Sequence, residues 1–189
     1  MPPGFFCCGT MPEEMRGNIT LIGFMGSGKS TVGRLLAQRL GWRFTDTDHL
    51  IEKIVGCSIP TYFAMEGETA FRDKETTILL GVTAGERQVI ATGGGAILRE
   101  ENVAALRTSS LVVYLTTRPD VLAQRVARRP GERPLLTAGE EPALTLILRM
   151  LAARGPLYQS ASHVLVDTSD RAPRAVVEEI VRRYQREDT

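Results

Sequence analysis

Residues 23–30, Gly-Phe-Met-Gly-Ser-Gly-Lys-Ser, form a complete phosphate-binding loop of the pattern G-x-x-x-x-G-K-[ST]. Glycines in this loop permit dihedral angles that a Cβ would oppose, so the backbone amides can point inward around an anion. Lys29 can reach the β- and γ-phosphates, and the Ser30 hydroxyl can ligate Mg²⁺. The residues expected to bind the triphosphate are Gly26, Ser27, Gly28, Lys29, Ser30 and Thr31. The loop predicts a site for a nucleoside triphosphate, although it does not name the reaction.

The sequence on either side of this loop predicts a strand and a helix. The apolar run at 19–22 is typical of a buried strand that leads into the loop. Residues 31–40 carry apolar side chains at helical spacing, and such a helix would direct the positive end of its dipole at the phosphates. An ordinary glycine-rich turn is the alternative, but it does not require all four fixed positions of the pattern between a strand and a helix.

The composition indicates one globular domain without a strong electrostatic preference. A chain of 189 residues with a net charge of +1 is large enough for a full α/β core. The near-zero charge gives no field that favours nucleic acid or an anionic membrane, and no apolar run approaches the roughly 20 residues that span a bilayer. Three cysteines do not form a disulfide framework. We therefore expect a cytoplasmic monomer.

The first 16 residues differ from the rest of the chain. They contain an apolar Phe-Phe-Cys-Cys patch without the basic start and long apolar core of a signal peptide. Met11 and Met15 are alternative starts, so we expect residues 1–16 to be a disordered leader or to precede the true start. The folded domain is then expected to span residues 17–189.

Strand and helix signals alternate along this domain, which predicts a parallel sheet with helices on both faces. Five strands are predicted, at 19–22, 42–45, 88–92, 111–115 and 163–166. Helices are predicted at 31–40, 49–55, 59–65, 68–82, 99–106, 119–128, 143–153 and 175–184. Residues 129–142 are rich in proline, glycine and charge, and we expect them to form a mobile loop.

Polar and glycine residues follow two of these strands at the edge where ligands of parallel sheets bind. Asp46 and Asp48 follow the second strand, and Gly93–Gly95 follow the third. One carboxylate could help to hold hydrated Mg²⁺ near Ser30, and the other could orient or deprotonate an attacking hydroxyl. A helix N-cap with a second acid in the first turn explains the same spacing equally well.

Several arginines allow both a structural and a functional interpretation. Arg72 and Glu75 lie three residues apart on one helical face, as a surface ion pair would. Arg154 is followed by Gly-Pro, where the helix is predicted to end, and a cation near a helix C-terminus is common for dipole reasons. Arginines around 129–142 form either a solvated face or a lid over phosphate, and these are Arg125, Arg128, Arg129 and Arg133.

Taken together, six segments resemble the shikimate kinase family, which is of the nucleoside-monophosphate-kinase type. The segments are GFMGSGKST (23–31), FTDTDHLIE (44–52), Phe63 with FRDKE (71–75), GGGA (93–96), RPLL (133–136) and RGPLY (154–158). The resemblance implies a single three-layer domain of the P-loop NTPase type, with a parallel five-stranded sheet flanked by helices. It also implies phosphorylation of the shikimate 3-hydroxyl with ATP and Mg²⁺, a step in chorismate and aromatic amino acid biosynthesis.

The resemblance implies roles for the residues around the acceptor. Asp48 would bind substrate hydroxyls and act as the base. Arg72 and Arg154 would bind the carboxylate, and Glu75 would orient Arg72. The remaining residues expected to line this pocket are Phe63, Phe71, Gly93, Gly94 and Gly95.

Further roles are implied on the nucleotide side. Lys29 and Arg133 would act on the transferring phosphate, the latter from the lid. Asp46 would join Ser30 in the Mg²⁺ shell. Either Arg128 or Arg129 would pack on the adenine, with help from residues 167–173. Because only three residues separate Arg129 from Arg133, the lid is short for the family and the choice stays open.

Two other functions share parts of this pattern. Another small-metabolite kinase, such as a gluconate kinase, would share the phosphate loop but has less reason to carry FRxxE, the triple glycine and RGPLY together. A non-catalytic nucleotide-binding module of this fold would be expected to lose Lys29, Asp48 or Arg133, and all three are present. Nucleic-acid binding does not fit the near-zero charge and the lack of interleaved aromatic residues.

Overall fold

A computed structural model describes residues 17–128 and 142–187 of the chain. The strands are β1 (Asn18–Ile22), β2 (Arg43–Asp46), β3 (Gln88–Ala91), β4 (Ser110–Thr116) and β5 (Val164–Asp167). The helices are α1 (Lys29–Leu40), α2 (Thr47–Val55), α3 (Ile59–Thr83), α4 (Glu100–Ser109), α5 (Pro119–Ala127), α6 (Ala143–Ala161) and α7 (Pro173–Glu187), with a 3₁₀ turn at Ala96–Leu98. The leader at 1–16 and most of the predicted lid, including Arg129 and Arg133, lie outside the described residues.

The strands form one parallel sheet in the order β2-β3-β1-β4-β5. β1 lies at the centre, where Leu21 pairs with Ala91 of β3 and Val113 of β4. Every residue of β1 is buried, as expected of a parallel strand that is covered on both faces. The predicted α/β fold, a parallel five-stranded sheet flanked by helices, is confirmed.

Apolar side chains attach a layer of helices to each face of the sheet. On one face, Ile19 packs with Leu36 of α1 and Ile180 of α7. On the other, Ile22 packs with Tyr158 of α6. This arrangement leaves the loops at the carboxyl ends of the strands free to build a site. Within the described ranges, none of the helices is both long enough and apolar enough to cross a bilayer.

Helix α1 begins directly at the phosphate loop. Lys29 is its first residue, two positions earlier than predicted, and Gly28 precedes it with a φ of 99°. A side chain at that positive φ would be strained, which explains the glycine. The first amides of α1 therefore belong to the phosphate loop itself.

Helix α3 contains a break at the predicted position. Gly67 has a φ of 82° and a ψ of 173°, so the backbone leaves helical geometry there and resumes it at Glu68. The two predicted helices are consequently two segments of one kinked element. The second segment carries Phe71, Arg72 and Glu75.

Helix α6 is longer than predicted. We expected it to end at residue 153, because Gly155 and Pro156 disfavour a helix interior. It continues to Ala161, with Tyr158 fully buried and Ala161 almost so. Burial of these side chains outweighs the backbone hydrogen bond that Pro156 removes. The expectation that Arg154 lies at a helix C-terminus was wrong, and the dipole explanation of this arginine no longer applies.

Candidate active site

The lysine of the phosphate loop folds back over the loop. Lys29 Nζ donates to the carbonyls of Gly23 at 2.8 Å and Phe24 at 3.1 Å. Ser27 is buried, and its amide donates to the Phe24 carbonyl at 3.1 Å. Thr31 lies exposed in the first turn of α1. Gly23, Gly26 and Gly28 all adopt positive φ, which is the backbone conformation that the glycine pattern predicted.

Hydrogen bonds from outside hold the back of this loop. Arg125 donates to the carbonyls of Gly26 at 3.2 Å and Thr168 at 2.6 Å. The Thr168 hydroxyl donates to the Ser27 carbonyl at 3.0 Å. Because the C=O and N–H of a trans peptide point in opposite directions within its plane, fixing the Ser27 carbonyl also fixes the Gly28 amide on the side opposite Thr168. Sequence reasoning did not identify this role of Arg125, since no local pattern marks a contact between distant segments.

The adenine side is only partly described. Arg128 lies exposed at the end of α5, and Arg129 lies outside the described residues. The loop at 167–173 is ordered by Asp167, whose Oδ1 accepts from the Ser169 amide at 2.9 Å and from its hydroxyl at 2.6 Å. These two hydrogen bonds lower the pKa of Asp167. The choice between Arg128 and Arg129 therefore stays a prediction.

Asp46 combines the two interpretations that the sequence left open. Its Oδ1 accepts from the His49 amide at 3.4 Å and caps α2, while its Oδ2 accepts from Ser30 Oγ at 2.6 Å. A hydroxyl and a carboxylate oxygen side by side are the hard donors that Mg²⁺ prefers. Asp46 and Ser30 therefore fit a magnesium ion next to the phosphate loop.

Among the acids near the phosphate loop, Asp48 has the most strongly raised pKa. Burial raises the pKa of Asp48 to about 6, and the charge of Lys29 opposes this effect. The negative charges of Asp46, Glu75 and Glu52 raise it further. With a pKa of about 6, the carboxylate is ionised at neutral pH, and its pKa is close enough to neutral pH for it to accept a proton.

The glycine loop after β3 brings the acid and the arginine together. A Cβ on Gly93 would overlap the Asp48 carboxylate and lie 3.0 Å from Glu75 Oε1. A Cβ on Gly95 would overlap the Arg72 guanidinium. The missing side chains thus leave room for Asp48 and Arg72 to lie directly against the backbone, as the predicted pocket requires.

Tyr158 fixes the middle of the same loop. Its hydroxyl donates to the Gly94 carbonyl at 2.6 Å, and its ring stacks on Tyr114 with 5.0 Å between centroids. Burial raises the pKa of Tyr158 to about 12, an effect that the charge of Arg154 and a hydrogen bond between the two side chains oppose. Tyr158 ends the RGPLY segment (154–158), but the sequence predicted no role for it. Its position one turn after Arg154 requires that α6 continue through Pro156.

Arg72 is anchored rather than free at the surface. Its Nη1 lies 2.7 Å from Glu75 Oε2, and only 1% of the Glu75 side chain is exposed. The guanidinium carbon lies 5.1 Å from the Phe71 ring centroid and 6.0 Å from that of Phe63, and the two rings are 4.4 Å apart. The surface ion-pair interpretation is therefore wrong, and both phenylalanines lie beside the arginine.

Arg154 approaches the same region from α6. Burial raises the pKa of Glu75, while Arg72 and, more weakly, Arg99 and Arg154 oppose this effect. Arg72 and Arg154 thus both act on Glu75 and on Tyr158. Two guanidinium groups, two phenylalanine rings and an acid therefore belong to one region next to the glycine loop, and this combination has the chemistry to bind a small hydroxylated anion.

Comparison with known proteins shows the family of the chain. A family model described as shikimate kinase matches residues 25–185. The shikimate kinase of Symbiobacterium thermophilum is 48% identical over 170 residues, which cover 89% of this chain and 96% of that protein. The Pseudomonas aeruginosa enzyme is 44% identical, again over 89% of this chain and 96% of that protein.

Solved structures give the same result. Shikimate kinase from Acinetobacter baumannii in complex with shikimate has a TM-score of 0.84 and 40% identity, and the match covers 91% of this chain and 94% of that one. The Aquifex aeolicus shikimate kinase has a TM-score of 0.76 and 34% identity, with coverages of 89% and 96%. On fold, sequence and pocket together, the chain belongs to the shikimate kinase family.

Proposed function

We propose that this chain transfers the γ-phosphoryl group of ATP to the 3-hydroxyl of shikimate at the glycine loop, with Asp48 facing the acceptor hydroxyl and Arg72 the carboxylate. As a shikimate kinase, it is an ATP- and Mg²⁺-dependent enzyme of the shikimate pathway. The observation that carries the residue assignment is the placement of Asp48 against Gly93 and of Arg72 against Gly95.

On the acceptor side, Asp48 would orient the attacking hydroxyl and take its proton. Asp48 is the second residue of α2, just beyond the end of β2, and it is close enough to Lys29 for the two charges to interact. Its approach to Gly93 and its interaction with Lys29 support a position between the glycine loop and the phosphate loop. An acceptor held there would face the γ-phosphate in line with the transfer.

On the donor side, catalysis requires positioning and charge neutralisation more than covalent chemistry. The amides of 26–31 would bind the phosphates, and Lys29 would exchange its carbonyl contacts for phosphate oxygens. Ser30 and Asp46 would hold Mg²⁺, which supplies positive charge to the phosphate oxygens when bound. Arg133 would add a cation from the lid, and Arg128 or Arg129 would contact the adenine.

The acceptor pocket explains selectivity for a cyclic carboxylic acid. A planar guanidinium binds a carboxylate through two parallel hydrogen bonds, which a lysine cannot do. Arg72 has such a fork held rigid by Glu75, and Arg154 would approach from the opposite side. Phe63 and Phe71 would pack against the ring. A linear acid such as gluconate would leave this apolar wall unused.

We further propose a cytoplasmic monomer that binds neither nucleic acid nor membranes. The net charge of +1 supports the lack of nucleic-acid and membrane binding, because it gives no field toward a polyanion. The folded domain would begin near residue 17, and the predicted lid at 129–142 lies almost entirely outside the described residues.

A coupled ADP-release assay with shikimate, quinate and gluconate offered separately tests the proposed reaction. The expected result is Mg²⁺-dependent turnover of shikimate, with formation of shikimate 3-phosphate. Turnover of gluconate but not of shikimate would overturn the assignment.

A further inference from the structure

Arg72 has two acidic neighbours that differ in burial and distance. Glu75 is buried, and its Oε2 lies 2.7 Å from Nη1. Glu68 is 67% exposed, and its Oε1 lies 3.5 Å from Nε and 3.5 Å from Nη2. The first contact is a short, fixed ion pair. The second is longer than a good hydrogen bond and is open to solvent.

The two acids lie on different edges of the guanidinium. Glu75 takes Nη1, and Gly95 lies against the group, where a Cβ would overlap both Nη atoms and Cζ. Nε and Nη2 form a second edge that can bind a carboxylate through two parallel bonds. This is the edge that Glu68 faces. An incoming substrate carboxylate would therefore need the position that Glu68 partly occupies.

We propose that Glu68 is an internal competitor for the substrate-binding edge of Arg72, and so sets the affinity for the anionic acceptor. This inference rests on the proposed role of Arg72 as a carboxylate ligand. Glu68 balances the positive charge of Arg72 in the empty pocket. The substrate carboxylate then displaces it.

The geometry explains why Glu68 can be displaced. Exposed ion pairs contribute little because water screens the charges and ordering the side chains costs entropy. Glu68 also directly follows Gly67, where the backbone leaves helical geometry at a φ of 82°. Its side chain can turn toward solvent without moving Phe71 or Arg72. A substrate that also contacts Arg154 and the two phenylalanines would therefore bind Arg72 more tightly than Glu68 does and displace it.

Calorimetric titration of shikimate into wild type, Glu68→Gln and Asp73→Asn tests the proposal. Glu68→Gln should bind shikimate about two- to fivefold more tightly, the range of an exposed ion pair, and the gain should shrink at high salt. Asp73→Asn is the matched control. Asp73 lies on the same helix and is also exposed, but it pairs with Arg99, so its loss removes an equal charge without freeing Arg72.

The methyl ester of shikimate separates competition from a general structural effect. Because the ester has no carboxylate, Glu68→Gln should gain no affinity for it. Unchanged or weaker binding of shikimate by Glu68→Gln, or an equal gain with Asp73→Asn or with the ester, would overturn the inference. Failure of wild type to bind shikimate would instead overturn the proposed function. Glu68→Ala provides a second variant, expected to behave as Glu68→Gln does.

Discussion

Arg72 and Glu75 form an ion pair in which the acid is more deeply buried than the arginine, with 1% of the Glu75 side chain exposed against 15% of Arg72. Such a pair is weak evidence for stability, because removing two charges from water costs about as much as their attraction returns. The effect of the pair here is geometric: Glu75 holds the guanidinium of Arg72 through Nη1, so that Nε and Nη2 can bind a carboxylate. Glu75 Oε1 is buried and accepts no hydrogen bond from the described residues, so the acid is held by Arg72 through Oε2 alone.

Gly95→Ala tests whether the glycine loop positions Arg72. The added Cβ would overlap the Arg72 guanidinium, so this group would have to move. We expect the KM for shikimate to rise about tenfold or more, as for the loss of a hydrogen bond to a charged group, with the KM for ATP unchanged. Steady-state kinetics measures both values.

Gly81→Ala is the control for that substitution. Gly81 lies inside α3, and a Cβ there would have no atom within 4 Å. Alanine should therefore leave both KM values unchanged and stabilise the helix by about 0.5–1 kcal/mol. Equal KM values for shikimate in Gly95→Ala and wild type would contradict the proposed geometry.

The pH dependence of kcat/KM for shikimate should report Asp48. Burial raises the pKa of this carboxyl to about 6, and only its ionised form can accept a proton. Activity should therefore rise with pH through about 6 and level off above it. An acid limb near pH 4, the ordinary range of an aspartate, would show that Asp48 is not the essential base.

Asp48→Asn should reduce turnover strongly and stabilise the fold at pH 7. Because the folded-state pKa is raised to about 6 from 3.8, the folded protein binds this proton more tightly than the unfolded chain does. Stability is therefore lost as pH rises from about 4 through 6, and ionised Asp48 destabilises the protein at pH 7. Asparagine removes that cost, by about 1–2 kcal/mol after allowance for partial exposure.

Thermal unfolding of Asp48→Asn at two pH values measures this effect. The Tm should rise by a few degrees at pH 7, and the difference should shrink at pH 4. ATP binding should be retained, because Asp48 is proposed to contact the acceptor and not the nucleotide. A variant with near wild-type kcat, or with a lower Tm at pH 7, would contradict the assignment.

Arg125→Gln tests the contacts behind the phosphate loop. The substitution loses charged hydrogen bonds to the carbonyls of Gly26 and Thr168. We expect the KM for ATP to rise about tenfold, with little change in the KM for shikimate. Arg39→Gln, which breaks an exposed pair with Glu178, should change neither value. Equal increases in both KM values would indicate general destabilisation instead.

The fold was predictable because its decisive signals are local. The phosphate loop fixes a strand, a turn and a helix in sequence, and the strands buried on both faces are continuous apolar runs such as LVVYL at 111–115. Each predicted strand lies within two residues of its position in the structure. The acid pair was placed correctly for the same reason, since it follows a strand end.

Features that depend on non-local packing were not predictable. The continuation of α6 past Pro156 results from burial of Tyr158 against Gly94 and Tyr114, which no local propensity contains. The contact of Arg125 with the phosphate loop joins segments that are 99 residues apart. Burial of Glu75 distinguishes the Arg72 pair from a surface pair, and the three-residue spacing alone gives no measure of burial.

The KM for shikimate of Arg72→Lys tests the central claim most directly. Lysine keeps the charge but lacks the two-bond fork, which corresponds to a loss of about 1.5–3 kcal/mol. We predict a roughly 10- to 150-fold rise in the KM for shikimate with the KM for ATP nearly unchanged, while Arg99→Lys leaves both values near wild type. A KM for shikimate within about twofold of wild type in Arg72→Lys would show that Arg72 does not bind the substrate carboxylate.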